Sequence, residues 1–288
     1  MLCFYRHLSQ SLQQIIVFIP NAIMSHTAHH EVISVLTELY TLLDTLAAIP
    51  PDTLRLPPAD TGVHPTFNAD AVSEGGYSLE AVQALSALPY VYGGAIIGPS
   101  TSTNYFLRPT NDGDDFEQDR EMMYDDNLAL PSAIQLTDSE GGYGCIYIYD
   151  AEKRVIVPWT PMTDQPPEDE RDLDANYFHI PPVSPREALQ PVIDMHRGLH
   201  YINRPLTGDR NFLLVTEHFG VRLPDDPTDA QRQSFERSRN IWQAEYGLKA
   251  IYLDYGWDVN ALEQTNFRRN EFLEKRQDYI KNIIKLLE

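Results

Sequence analysis

The stretch GGYGCIYIYDAEKRVIVPW, residues 141–159, decides how the fold is interpreted, because Cys145 follows a glycine-rich turn there. A nucleophile elbow requires G-x-S-x-G on a strand that leads into a helix. Cys145 is instead followed by IYIY, an alternation that places Cys145, Tyr147 and Tyr149 on one face of a strand. The stretch therefore predicts a β-hairpin with its loop at 150–153, in which Cys145 is a small structural residue rather than a nucleophile.

Further strands are predicted around this hairpin, where short runs are rich in β-branched and aromatic residues and are separated by turn formers. These runs are YVYGGAII (90–97), TNYFLR (103–108) and SAIQLT (132–137). Because they are short and closely spaced, they favour antiparallel pairing.

Helices are predicted on both sides of the strands. Apolar residues recur at helical spacing in 31–49 and in 78–88, and a proline follows each segment. Two further helices are predicted near the end of the chain, one from Thr228 towards Tyr255 and one over 263–287. The sequence thus predicts an α+β fold, with a mostly antiparallel central sheet flanked by N-terminal and C-terminal helices.

Another helix is predicted to begin at Ser184, because Ser184-Pro185-Arg186-Glu187 combines a capping box with proline at the first helical position. This helix should turn Ala188, Leu189, Val192, Ile193 and Met195 towards the sheet. Pro191 lies inside it and lacks the N–H that a helix interior uses, so a kink or an early stop is expected there.

The chain of 288 residues, 42% apolar and 10% aromatic, has a globular composition. Residues 1–23 are interpreted as a flexible extension, and 24–288 as a single domain. The apolar run IIVFI in the extension is too short to cross a membrane. Two cysteines do not form a disulfide framework, so a reduced, cytoplasmic compartment is expected.

The net charge of −20 is concentrated in two predicted acidic loops, 111–127 and 164–176, which together carry −12. Such a surface repels nucleic-acid phosphates and anionic membranes, so neither partner is expected. It tolerates a basic protein partner. The densest basic stretch, RRNEFLEKRQ at 268–277, is interpreted as a solvated helix face, because its cations alternate with Glu271 and Glu274.

His196 and His200 are candidate metal ligands, because they have i, i+4 spacing with Asp194 nearby. In a zincin helix the residue after the first histidine is glutamate, whereas here it is Arg197, a cation that opposes a metal. Gly198 also weakens the helix between them. The remaining candidates, His26, His29 and His30, lie in a start that is expected to be mobile.

Other ligand motifs fail on their spacing. A calcium loop that begins at Asp112 has Phe116 and Glu117 at positions where an EF-hand requires an oxygen ligand and glycine. The sequence contains neither GxxxxGK[ST] nor GxGxxG. The sequence therefore predicts no catalytic, cofactor-binding or metal-binding residue.

Two segments, LPYVYGG (88–94) and the hairpin stretch 141–159, resemble the SUKH superfamily of immunity and interaction domains. Two further segments, YLDYGW (252–257) and NFRRNEF (266–272), are similar to filamentous-fungal proteins placed near that group. The resemblance covers about a third of the chain, and the acidic insertions depart from its pattern. It implies a compact α+β fold that binds proteins without catalysis.

The sequence leaves two functions open. The first is non-catalytic protein–protein interaction, as a scaffold or regulatory module. The alternative is an enzyme of unfamiliar type, such as a hydrolase that uses carboxylates and a histidine. Carboxylates are too abundant in this chain to single out a catalytic pair. A pocket lined by perturbed carboxylates and a histidine would favour the enzyme.

Overall fold

The computed structural model describes residues 28–108, 113–121, 129–164, 179–203, 212–214 and 220–287, so the predicted extension at 1–23 lies outside it. The described chain is a mixed α+β fold with antiparallel strands, as predicted. Its helices are α1 (His30–Thr45), α2 (Ala69–Glu74), α3 (Leu79–Ala87), α4 (Gly113–Gln118), α5 (Pro185–Arg197), α6 (Asp229–Asp254) and α7 (Arg269–Leu287). Its strands are β1 (Leu54–Arg55), β2 (Tyr90–Val91), β3 (Ile96–Gly98), β4 (Thr101–Thr103), β5 (Ala133–Gln135), β6 (Thr137–Ser139), β7 (Ile146–Asp150), β8 (Val155–Trp159), β9 (Tyr201–Asn203) and β10 (Phe212–Leu214).

The strands form several small sheets in place of one central sheet. Within the described residues, β1 pairs with β2 and β9 pairs with β10, while β3-β4-β6 and β5-β7-β8 form three-stranded sheets. A turn divides the first predicted run, because Gly93 and Gly94 have positive φ between β2 and β3. The strand predicted at 103–108 is wrong except for Thr103, since β4 covers Thr101–Thr103 and 104–108 is irregular. Each sheet therefore depends on helices and neighbouring loops for its stability.

The predicted hairpin is confirmed as β7–β8, with Ile146 opposite Trp159 and Asp150 opposite Val155. Its turn lies one residue later than predicted, at 151–154. The Asp150 carboxylate fixes the turn, because its Oδ1 accepts hydrogen bonds from the backbone N–H groups of Glu152 and Lys153, both at 3.1 Å.

The two faces of the hairpin pack in two different apolar clusters. Tyr147 and Tyr149 belong to the main core, which also includes the buried faces of α1, α3 and α5. Ile146 and Ile148 face a smaller cluster that contains the fully buried Trp159. The alternation predicted from IYIY is thus realised, with both faces covered.

Helix α5 begins at the predicted residue, with Pro185 at the first helical position and Ser184 Oγ accepting a hydrogen bond from the Glu187 N–H at 3.2 Å. The predicted capping box is only half formed among the described hydrogen bonds, because they include no return bond from the Glu187 side chain. The expected stop at Pro191 does not occur, and the helix continues to Arg197. Its buried face is completed by His196, whereas Met195 is only half-buried. Tertiary packing therefore outweighs the lost hydrogen bond at the proline.

An ion-pair network joins α5 to α1. Arg197 donates to Glu38 Oε1 at 2.9 Å, and Arg186 also donates to Glu38. Because two guanidinium groups face it, the pKa of the Glu38 carboxyl is held below its usual range, even though partial burial opposes this change.

The segment 111–127, predicted as an acidic loop, contains helix α4. Phe116 is fully buried in the main core and anchors this helix among acidic neighbours. Gly113 allows the close approach to α2, since a Cβ there would lie 2.7 Å from Glu74 Cβ. The sequence does not predict this helix, because its only buried apolar residue is Phe116 and one residue gives no helical repeat. In the second predicted loop, 164–176, only Asp164 is described.

The C-terminal helices form a separate cluster around Tyr252, Trp257 and Phe272. Helix α6 begins after Thr228, as predicted, and Thr228 caps it with a full capping box, while Gly256 follows its end with φ +90. Helix α7 starts later than predicted, at Arg269. Among the described helices, none combines the length and the apolar character needed to cross a membrane.

Candidate functional site

Cys145 lies just before β7, in a pocket of about 210 Å³ lined also by Tyr147, Thr160 and Tyr201. Its backbone is fixed by threonine hydroxyls: its N–H donates to Thr101 Oγ1 at 2.9 Å, and its carbonyl accepts from Thr137 Oγ1 at 2.9 Å. Burial raises the pKa of the Cys145 thiol to about 12. The nucleophilic thiolate is therefore scarce at neutral pH.

We expect Cys145 to react with a disulfide-exchange reagent at pH 8 at least roughly tenfold more slowly than a free cysteine, because the raised pKa removes the thiolate. The rate should be measured on a Cys3→Ser chain, folded and in denaturant, so that Cys145 is the thiol observed. Labelling of the folded chain at the rate of the denatured chain would contradict this expectation.

The two histidines considered for metal binding have different surroundings. His196 is fully buried, and its Nε2 lies 3.0 Å from the Ile97 carbonyl oxygen of β3. Burial lowers the pKa of His196 to about 4, although hydrogen bonds to the Ile97 and Tyr201 backbones oppose this change. His200 is half-buried, and Asp194 is exposed and pairs with Arg197 at 3.1 Å. Among the described residues, no three His, Cys, Asp or Glu side chains form a metal-binding group.

His29 differs from its predicted mobile state. It is buried at the start of α1, and its Nδ1 lies 2.8 Å from the Tyr149 hydroxyl of the hairpin. Burial lowers the pKa of this histidine. His29 therefore ties α1 to β7, while His26 lies outside the described residues.

A cleft of about 1010 Å³ lies at the carboxyl end of α1, and we call it the cationic cleft. One wall is the turn 47–51, and another is the glycine turn 93–96 with Ser102 and Thr103 of β4. The third wall is α7, which contributes Arg269, Leu273, Arg276, Gln277, Ile280 and Lys281. Apolar walls with a few polar groups are typical of binding sites.

The wall from α7 is positioned by the end of α1. Arg269 Nη2 donates to the Asp44 carbonyl at 3.0 Å, and Arg276 Nη1 donates to the Ala47 carbonyl at 2.7 Å. Between them, the Tyr252 hydroxyl donates to the Leu46 carbonyl at 2.7 Å. Helix α1 has no basic residue in its own last turn, so these distant side chains cap its carbonyl groups.

Arg276 is the most unusual of these groups. The residue is only 6% exposed, and its guanidinium carbon lies 5.9 Å from the centre of the Phe272 ring. Its Nε is buried and has no hydrogen-bond partner among the described residues. No described carboxylate lies within ion-pair distance of it. A buried charge in this state is costly unless a counter-ion approaches it.

The charged residues that line the cleft are therefore cations, on a chain whose net charge is −20. The end of a helix is equivalent to roughly half a negative charge, which only partly offsets the two guanidinium groups that face it. The Asp44 carboxylate lies 3.7 Å from Arg269, and Lys281 adds a third cation to the lining. Among the described lining residues none is acidic.

Sequence reasoning missed this site because it interpreted 268–277 as a solvated face. That interpretation is correct for Arg268, which pairs with Glu271 at 2.9 Å, but wrong for Arg276 and incomplete for Arg269, which is half-buried. The sequence does contain a signal that these two arginines are not simply solvated: Arg269 and Arg276 are seven residues apart and share a helix face with the apolar Phe272. The cationic cleft and the pocket at Cys145 are lined by no described carboxylate or histidine.

Comparison with known proteins found no matching family model, no matching curated protein and no matching solved structure. The resemblance to the SUKH superfamily therefore stays a prediction from the quoted segments.

Proposed function

We propose that the chain is a non-catalytic protein-interaction module that holds a segment of a partner protein in the cationic cleft. The observation that supports this is the cleft itself, whose volume of about 1010 Å³ is combined with apolar walls and no described acid or histidine. Its size lies at the upper limit of small-molecule sites and suits a peptide segment.

The compartment belongs to the same proposal. The described cysteine, Cys145, is a free thiol, in agreement with a reduced, cytoplasmic environment. The excess acid outside the cleft would steer a partner with a basic surface towards the chain, while the cleft would select the segment that is bound.

The test compares two identical substitutions at exposed glutamines. Gln277→Trp places an indole in the cleft, whereas Gln243→Trp places one on α6 outside it. Proteins retained from an extract of the native cells by the full chain should be identified by mass spectrometry and then purified. We expect the direct partner to bind the full chain and Gln243→Trp equally, and Gln277→Trp at least roughly tenfold more weakly, since the bulk excludes the segment.

Equal retention of every purified partner by the two tryptophan variants would refute the cleft as the binding site. Thermal unfolding of both variants provides the control, because an exposed substitution should change stability by no more than about 0.5 kcal/mol.

A further inference from the structure

We propose that the segment bound in the cationic cleft is acidic, with carboxylates alternating with apolar side chains. This inference rests on the proposed function and names the chemistry of the partner segment. The charge of the whole chain favours a basic partner, whereas the segment proposed for the cleft is acidic.

The first argument is the state of Arg276. The residue is only 6% exposed and lines the cleft, and its buried Nε has no hydrogen-bond partner among the described residues. An incoming carboxylate would supply the counter-charge, and guanidinium–carboxylate hydrogen bonds are among the stronger ones in proteins.

The second argument is the spacing of charges along α7. Cationic and apolar residues both line the cleft along this helix, in the order Arg269, Leu273, Arg276, Ile280 and the adjacent Lys281. At 1.5 Å per residue the row from Arg269 to Lys281 spans about 18 Å, which is longer than a single phosphate can bridge. The row therefore fits an extended chain better than a small anion.

The third argument is the match between the two periods. Arg276 and Lys281 are separated by about 7.5 Å along the helix axis. Side chains at i and i+2 of an extended peptide lie about 7 Å apart on one face. Two glutamates separated by one residue can thus reach Arg276 and Lys281, which both line the cleft. The apolar residues that alternate with them point to the opposite face of the segment and can contact the other walls, at Ile49 and Ile96.

The experiment uses fluorescence anisotropy with the full chain and two labelled decapeptides. One alternates glutamate with leucine, and the other alternates glutamine with leucine, so the two differ only in charge. We expect the glutamate peptide to bind at least roughly tenfold more tightly, because close charge pairs at a partly buried site outweigh long-range repulsion that salt screens. Without a local cationic site, a chain of net charge −20 would favour the neutral peptide.

Two matched variants locate the effect. Gln277→Glu adds one negative charge inside the cleft, and Asn282→Asp adds one at an exposed position of the same helix outside it. We expect Gln277→Glu to weaken the glutamate peptide roughly three- to tenfold without affecting the glutamine peptide, and Asn282→Asp to change neither by more than about twofold.

Equal affinities for the two peptides, or equal effects of the two variants, would overturn the inference. If the glutamate peptide fails to bind while a purified partner is still lost on Gln277→Trp, the acidic segment is refuted and the proposed function stands. If the partner is also retained by Gln277→Trp, both are refuted.

Discussion

Replacing Gly144 with alanine should lower the free energy of unfolding by about 3 kcal/mol or more, because the added methyl overlaps with backbone that cannot move away. A Cβ at this position would lie 1.8 Å from the Ser100 carbonyl oxygen and 2.5 Å from its carbon. That oxygen already accepts a hydrogen bond from the Glu140 N–H at 2.9 Å, and Ser100 has a positive φ of 51 in a tight turn. Equilibrium unfolding in urea measures the effect.

Gly98→Ala is the matched control for this prediction. Gly98 is buried in the β3–β4 hairpin, the hairpin whose turn contains Ser100. Its added Cβ would lie 3.7 Å from Thr101, at ordinary contact distance. We expect a change within about 1 kcal/mol, since no atom has to shift. If the two alanine variants are equally stable, the close approach of the hairpin stretch to β3–β4 is refuted.

Acid should destabilise the fold through His196. Burial lowers the pKa of His196 to about 4, so between pH 6.5 and pH 4 the unfolded chain binds a proton that the folded chain does not. Stability from this group is therefore complete above pH 6.5 and is lost as the pH falls towards 4. The expected loss between pH 7 and pH 5 is about 2 kcal/mol.

Urea unfolding at several pH values tests this prediction. Burial also lowers the pKa of His29 and His64, so the wild-type slope contains their contributions with the same sign. His196→Gln keeps a donor for the Ile97 carbonyl but cannot take up a proton, so the pH dependence between 7 and 5 should decrease by the contribution of His196. An unaltered slope in His196→Gln would contradict the assignment.

Much of the local structure could be predicted because its causes lie within a few residues. Ser78, Ser184 and Thr228 each cap the helix that follows, through a side chain that accepts the N–H three residues later. The hairpin follows from period-two alternation around a turn anchored by Asp150. The α+β class follows from these patterns together.

Long-range packing decided what these patterns could not. His29 appeared to belong to a mobile start, yet it contacts the Tyr149 hydroxyl, 120 residues away in sequence. Pro191 predicted a break, yet α5 continues because its face is buried against α1 and the hairpin. Residues 111–127 were interpreted as loop because they are acidic and lack an apolar repeat. In the structure one buried residue, Phe116, is enough to hold α4 against α2.

The sequence by itself thus determined five of the described helices (α1, α3, α5, α6 and α7), the hairpin and the acidic character of the chain, because propensity, capping and periodicity act between near neighbours. Only the tertiary structure decided the cationic cleft. It forms because Arg269 and Arg276 cap the carbonyl groups of Asp44 and Ala47, more than 220 residues earlier in the chain. Helix α1 has no basic residue in its own last turn, so the cleft depends on a distant helix, and no local pattern in α1 or in α7 predicts that the two helices meet.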